Sequence, residues 1–176
     1  MRWNLDPSHS TAEFIVRHMM ITNVRGRFGV LAGTVDFDPE RPESATIEVT
    51  AQAASIQTHD ATRDAHLRGA DFFDVEKHPH LEFRSKKVVR KGQGFAATGD
   101  LSMRGVSREV TFDIEGPTAP GKDPWGQTRI GASATATVRR KDWGLVWNTP
   151  LEAGGVLVSD EVKLELHVSL IAAKTA

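Results

Sequence analysis

The strongest constraint on the fold of this chain is an alternation of apolar and polar residues with a period of two. From Val162 to Leu170 every second residue is valine or leucine, and the residues between them are charged or polar. Successive side chains of a β-strand point to opposite faces, so this pattern predicts a strand with one buried face. The same period recurs in residues 45–56, 108–115 and 129–139. Half-buried strands are therefore expected to form most of the structure.

Residues 58–85 interrupt this pattern. Alternation stops between residues 60 and 68, Thr58 and Asp60 can cap a helix start, and Gly69 can end a helix. We therefore predict one short helix over residues 60–68. Leaving Phe72 and Phe73 in water would be costly, so the two rings are expected to tuck under the helix against the sheet.

About eight long strands with one short helix indicate an all-β fold. Parallel pairing would need a crossover of a dozen or more residues after each strand, so the strands are expected to be antiparallel. Closing the sheet removes exposed edges, which favours an extended eight-stranded antiparallel β-barrel over a thin sandwich. Residues 1–176 are expected to form this single domain. Residues 19–28, 116–125 and 142–157 are predicted to be irregular, with an ion pair between Arg140 and Asp142 closing the barrel.

Composition excludes several classes of function. The chain has 22 basic and 23 acidic residues, so no nucleic-acid surface is expected. It has no cysteine, which excludes disulfides, thiolate metal sites and cysteine nucleophiles. No transmembrane segment is expected, because no stretch approaches the roughly 18 apolar residues that a membrane span needs. The first ten residues lack the apolar run of a secretion signal, so the expected location is cytoplasmic, or periplasmic if a leader was removed.

The inward face of the predicted barrel carries unusually small side chains in places. Ala132, Ala134 and Ala136 follow one another on one face of residues 129–139, and Gly33 and Ala51 lie at inward positions elsewhere. Two interpretations remain open. Native interiors rarely contain voids, which favours a core filled by the four phenylalanines Phe14, Phe37, Phe83 and Phe112. The alternative is a cavity for a ligand.

Seven short motifs, in this order and spacing, give the chain a resemblance to the YceI-like family, also called polyisoprenoid-binding proteins. They are W-x-L-D-P-S-H-S at residues 3–10, F-x-V-x-H at 14–18, G-x-F at 26–28, R-D-x-H-L with D-F-F-D-V at 63–75, H-P-x-L-E-F at 78–83, G-D-L-S-M-R-G-V at 99–106 and R-x-D-W-G-L at 140–145. The resemblance implies a lipocalin-like barrel around a long apolar tunnel. It further implies a homodimer that binds an isoprenoid-quinone precursor or a similar fatty-acid-like lipid, for storage, transport or quinone metabolism, without a cofactor and without catalysis.

The candidate ligand-binding residues combine inward strand positions, the Phe72 ring and three polar residues near the expected mouth. Arg63 and Asp64 could pair with a head group or form structural bonds to loop backbone, and His18 has the same two interpretations. The full set is Phe14, Val16, His18, Phe28, Phe37, Ile47, Val49, Arg63, Asp64, Phe72, Phe83, Phe112, Ala134, Ala136, Leu164 and Leu166.

Two other functions compete with lipid binding. His78, His80 and Glu82 resemble part of the metal site of a cupin-like, metal-dependent β-barrel enzyme. The spacing argues against this, because cupins place the acidic ligand further on, Pro79 interrupts the motif, and His80 and Glu82 are expected to face solvent. The third hypothesis is a stress-response interaction module, which would show an exposed apolar patch.

Overall fold

The computed structural model describes residues 1–174. Within them the chain forms one α-helix, α1 (Ala61–Arg68), and twelve strands. The strands are β1 (Arg2–Leu5), β2 (Thr11–His18), β3 (Thr22–Phe28), β4 (Leu31–Asp36), β5 (Thr46–Gln52), β6 (Ile56–Gln57), β7 (His80–Lys91), β8 (Gly94–Met103), β9 (Val106–Glu115), β10 (Gly121–Lys122), β11 (Thr128–Arg139) and β12 (Val158–Ala172).

The strands pair antiparallel and close into a barrel with eight positions around its circumference. Three positions are each made by two successive strands with a short break between them: β1 with β2, β3 with β4, and β5 with β6. β12 pairs with β1 and β2 on one side and with β11 on the other, which closes the ring. The predicted eight-stranded antiparallel barrel with one short helix is confirmed.

One prediction about the strands is wrong. Residues 19–28 were expected to be irregular, but β3 occupies most of this segment and pairs with β2 from Thr22 to Phe28. The inward positions of β3 are Val24, Gly26 and Phe28, and a side chain at Gly26 would place its Cβ 2.1 Å from Cζ of Phe14. Because a glycine occupies an inward position to make room for that ring, the apolar alternation is not visible in the sequence.

The predicted helix is confirmed. The Asp60 side chain accepts a hydrogen bond from the Arg63 backbone N–H at 3.0 Å, which caps the first turn, and Gly69 caps the last. Phe72 is buried and Phe73 half-buried beneath the helix. β6 ends and β7 begins at the same end of the barrel as His18, Arg139 and Val158. The segment from residue 58 to 79 connects these two strands, so the helix lies at this end. We call this the helix end.

The apolar core forms three clusters. One cluster at the helix end joins Phe72, Phe83, Leu101, Phe112 and Trp143. A second cluster is centred on β1 and β4, includes Trp3, Leu31 and Leu170, and also packs against Phe73 beneath the helix. A third joins Val88, Phe95 and Ala97. Between them several inward residues remain half-buried, although they face the centre of the barrel: Phe14, Val16, Val35, Ile47, Val49, Leu81, Ala134, Leu164, Leu166 and Val168. The barrel is therefore not packed solid along its axis.

Candidate ligand-binding cavity

The interior of the barrel contains a cavity of about 740 Å³. Its lining residues on β12 extend from Val158 at the helix end to Leu170 near the other end, which is about 40 Å of extended chain. Strands in a barrel are tilted by about 35–45°, so this length corresponds to about 30 Å along the axis. The cavity is long, and its volume falls within the range of about 300–1,000 Å³ that is typical of ligand pockets.

The phenylalanines line the cavity instead of filling it. Phe83 and Phe112 pack edge to face with their ring centroids 5.0 Å apart, and Phe37 packs on Phe95 in the same way at 5.8 Å. Phe14 packs on Phe28 at 5.8 Å. All of these rings contact the cavity. Because the rings pair with one another along the wall, the interpretation that they fill the centre of the barrel is wrong.

Fourteen of the sixteen predicted ligand-binding residues lie in the cavity wall. They are Phe14, Val16, His18, Phe28, Phe37, Ile47, Val49, Arg63, Phe72, Phe83, Phe112, Ala134, Leu164 and Leu166. Every one of them except Phe37, which directly follows β4, and Arg63 and Phe72 comes from a strand. The wall is a direct consequence of the inward positions of the alternating sequence.

Asp64 and Ala136 do not belong to the lining. The Asp64 carboxylate is buried and accepts hydrogen bonds from the Thr58 backbone N–H at 2.8 Å and from its hydroxyl at 2.5 Å, so it faces the connection before the helix. Ala136 points inward but is buried within the cluster at the helix end, where Val138 and Val162 are larger neighbours. A single methyl group at that position is covered by these side chains.

The cavity reaches the surface at the helix end. Among the lining residues within 1–174, the exposed ones are Arg17, Asp60 and Thr62, while every other lining residue is buried or half-buried. Arg17 lies near the end of β2, and Asp60 and Thr62 lie at the start of α1. We call the opening between these two elements the mouth.

Polar groups are concentrated around this mouth. Arg63 is half-buried, and its Nε and Nη2 donate to the hydroxyl and the carbonyl of Thr58 at 2.7 and 2.6 Å. His18 and His66 are also half-buried in the lining. His66 bonds through Nε2 to the Asp71 carboxylate at 2.8 Å. The wall is thus apolar along most of its length and polar at its opening.

The long loop (residues 144–157) supplies lining residues that the sequence did not identify. Trp147 contacts the cavity and packs edge to face on the His66 ring, with centroids 4.7 Å apart. Leu145 and Leu157 also line the cavity. Alternation predicts the direction of side chains within strands alone, so the sequence pattern could not predict that this loop packs against the helix.

Arg140 holds the long loop in place. The side chain is 4 % exposed, and its guanidinium donates to four backbone carbonyls: Leu145 at 2.7 Å, Trp147 at 2.8 Å, Ser159 at 2.9 Å and Val158 at 3.4 Å. Burial lowers the pKa of this guanidinium from its ordinary value.

The predicted ion pair between Arg140 and Asp142 is wrong, because the loop turns its carbonyls toward the arginine. The backbone carbonyl of Asp142 instead accepts a hydrogen bond from Arg108 Nε at 3.0 Å. The neighbouring Trp143 is 2 % exposed, and its indole N–H donates to the Leu101 carbonyl on β8 at 2.9 Å. The pairing of β9 with β11 covers residues 133–135 of β11, and Trp143 packs in the core cluster beyond it, toward the helix end.

The histidine motif considered for a metal enzyme does not gather a ligand set. Within residues 1–174, no group of three or more His, Asp or Glu side chains comes close enough to hold a metal ion. His78 is half-buried beside Gly105, and His80 is exposed. Glu82 was expected to face solvent, but it is half-buried and contacts the cavity.

In the part of the chain that the structure describes, no helix is both long enough and apolar enough to cross a membrane.

Comparison with known proteins places the chain among relatives of the same architecture. It is 36% identical to a UPF0312 protein of Serratia proteamaculans (strain 568) over 137 residues, which is 78% of this chain and 71% of the relative. It superposes on the crystal structure of the Campylobacter jejuni YCEI protein with a TM-score of 0.76 and 30% identity, covering 90% of each chain.

A polyisoprenoid binding domain from Saccharophagus degradans has the same fold, with a TM-score of 0.66 and 14% identity over 97% of this chain and 98% of that one. A family model described as a YceI-like domain matches residues 3–170. The resemblance seen in the sequence motifs is therefore confirmed, and the chain belongs to the YceI-like family.

Proposed function

We propose that this protein binds a long-chain amphiphilic lipid, with its tail in the barrel and its polar head at the mouth. The observation that carries this proposal is the geometry of the cavity, which is long, apolar and exposed to solvent where the polar residues lie. A ligand with an extended apolar tail and one polar end matches both properties. A polyisoprenoid is the leading candidate, and the Saccharophagus degradans domain of the same fold is described as polyisoprenoid binding.

Burial of the tail is sufficient to supply the affinity. Each CH2 group removed from water contributes about 0.8 kcal/mol, so a tail of a dozen or more carbons has a large gross driving force. Ordering a flexible chain and restricting its motion offset a substantial share of this gain. Polar residues at the mouth then need to do no more than accommodate a head group.

Binding without catalysis agrees with the bonds of Arg63 and Arg140 in the lining. Both guanidiniums already donate to protein oxygens. A catalytic acid or base must instead be directed at the reacting group of a substrate. Storage or transport of the lipid and a homodimeric state belong to the same proposal.

The proposal is tested first on the protein as purified. Native mass spectrometry should show a bound species that solvent extraction releases as a long-chain amphiphile, and the same spectrum gives the number of chains in the assembly. Recovery of protein without any lipid, together with failure to take up an added polyprenol, would contradict the proposal. Stoichiometric metal and no lipid would support the competing enzyme.

A pair of matched variants tests where the tail lies. Ala134→Phe places a ring in the cavity, whereas Thr135→Phe places the same ring at the next, exposed position of β11. We expect Ala134→Phe to reduce polyprenol uptake by at least about tenfold, since it removes burial of several CH2 groups. Thr135→Phe should leave uptake unchanged. Equal uptake by both variants would exclude this part of the barrel as the tail site.

A further inference from the structure

The surface around the mouth is unusually apolar. Nine large hydrophobic residues are exposed within the described chain, and five of them lie on two segments of the helix end: Met19, Met20, Ile21, Val146 and Val156. The other four are Met1, Val30, Val89 and Trp125, which are scattered. We call the first five the apolar rim. A cluster of this kind on one side of the barrel indicates an interaction surface.

The two segments of the apolar rim are joined to each other. The Met19 backbone N–H donates to the Leu157 carbonyl at 2.8 Å, and the Met20 side chain lies against Gly155, whose added Cβ would be 3.1 Å from Met20 Cγ. The turn between β2 and β3 and the long loop therefore form one continuous surface.

The same surface is continuous with the cavity. Arg17, His18, Leu157 and Val158 line the cavity and are next to rim residues in the sequence. Arg17 Nε also donates to the Met20 carbonyl at 3.2 Å. A molecule that rests on the rim thus lies beside the opening through which the proposed ligand must pass.

The turn between β2 and β3 has an unfavourable backbone conformation. Met19 and Met20 both adopt positive φ angles, of 52° and 61°. Tight hairpin turns that need two positive φ angles favour Asn-Gly or Gly-Gly, because residues with a Cβ are strained there. Ile21 follows them and is 72 % exposed. Neither the backbone nor burial explains three apolar side chains at this tip, which points to contact with an apolar phase outside the protein.

We propose that the apolar rim docks on the surface of a lipid bilayer, so that lipid passes between the bilayer and the mouth. The proposal rests on the proposed lipid-binding function and adds the partner from which the ligand comes. Exposed charged residues of both signs lie on the segments that carry the rim: Arg17 donates to the Met20 carbonyl, and Glu152 lies in the long loop. Docking therefore depends on insertion of apolar side chains and not on anionic lipids.

The test is flotation of the protein with vesicles of phosphatidylcholine, which has no net charge. The wild type should float with the vesicles, and flotation should be unchanged between about 0.1 M and about 1 M salt, where the screening length falls from about 10 Å to about 3 Å. The double variant Met20→Ser with Ile21→Ser should lose at least about tenfold in the partition coefficient, as expected when two apolar side chains no longer insert. Trp125→Ser removes a larger exposed side chain away from the rim and should float like the wild type.

This assay needs no bound ligand, so its result is independent of the proposed function. The double variant should still take up polyprenol from detergent solution, because Met20 and Ile21 do not line the cavity. Wild-type protein that does not float, or equal flotation of the double variant and the wild type, would overturn the proposal. So would a change from dimer to monomer in light scattering of the double variant, because the rim would then be a contact between two copies of the chain.

Discussion

Two arginines at opposite ends of β11 hold the barrel in different ways. Arg140, just after the strand, is buried and donates to backbone carbonyls, and no carboxylate within the described chain lies at ion-pair distance from it. Arg129, near the start of the strand, is held between the carboxylates of Asp6 at 2.5 Å and Asp123 at 2.7 Å. One end of the barrel therefore holds a guanidinium without an ion-pair partner, whereas at the other end one guanidinium lies between two carboxylates.

This difference runs parallel to the polarity of the cavity. A guanidinium bonded to neutral carbonyls attracts a polar or anionic group nearby, although the Asp160 carboxylate acts on it from beyond ion-pair distance. Arg140 lines the cavity at the end where the mouth lies, whereas Arg129 and its two carboxylate partners lie outside the lining. The ion-paired end also has no exposed lining residue within residues 1–174. The helix end is therefore the end better suited to a head group.

The largest expected effect comes from removing the buried arginine. Arg140→Met leaves the carbonyls of the long loop without their donor, and hydrogen bonds to a charged group contribute about 1.5–3 kcal/mol each. Because water can reach some of the freed carbonyls, we expect the free energy of unfolding to fall by about 3–5 kcal/mol in urea denaturation.

The neighbouring Arg139 provides the control for this variant. Its side chain is 70 % exposed and lies 3.9 Å from Asp160, so Arg139→Met should change the unfolding free energy by no more than about 0.5 kcal/mol. Equal losses in the two variants would show that the carbonyl bonds of Arg140 do not hold the long loop.

A smaller effect is expected at the ion-paired end. The Asp6 carboxylate also accepts hydrogen bonds from the Ser8 backbone N–H at 3.0 Å and from its hydroxyl at 2.7 Å. Asp6→Asn keeps part of this arrangement but loses the charge that Arg129 pairs with. We expect the unfolding free energy at neutral pH to fall by about 1–3 kcal/mol.

The same variant changes the dependence of stability on pH. The Arg129 guanidinium, followed by the Ser8 hydroxyl, holds the pKa of Asp6 far below its ordinary value. The unfolded chain therefore takes up this proton first as the pH falls, so the contribution of Asp6 is complete above about pH 5 and is lost progressively below it. Urea denaturation at a series of pH values should show that the free energy of unfolding falls less steeply between about pH 7 and pH 3 for Asp6→Asn than for the wild type. Asp113→Asn, at the exposed pair with Lys91, should follow the wild type closely.

Sequence reasoning located most of the wall of the cavity and, with His18 and Arg63, part of its opening. The alternation of β12 and β11 placed Leu164, Leu166 and Ala134 on the inner face without any structural information. The same rule failed at Gly26, where the inward residue has no side chain, and at Ala136, where neighbouring residues cover the methyl group. Periodicity reports which face a residue lies on, but it does not report how deeply its neighbours cover it.

Tertiary contacts outside the strands were beyond the reach of the pattern. The bonds from Arg140 join residues five to nineteen positions apart through backbone carbonyls, which carry no signature in the sequence. The sequence suggested a carboxylate partner because oppositely charged residues lie close together at 140 and 142. The packing of Trp147 on His66 likewise depends on how the long loop folds back over the helix.

The smallest expected effect tests whether the head group lies at the mouth. Arg63→Gln removes a charge from the mouth, whereas Thr34→Val removes a hydroxyl from a lining residue on β4, toward the ion-paired end. If the head group lies at the mouth, Arg63→Gln should weaken binding of a polyprenyl phosphate by about threefold to tenfold, as expected for about one hydrogen bond, and Thr34→Val should leave it unchanged. A hydrocarbon of the same length without a head group should bind both variants like the wild type. The reverse order of the two variants for the phosphate would place the head group at the ion-paired end and would contradict the assignment of the mouth as the polar end of the cavity.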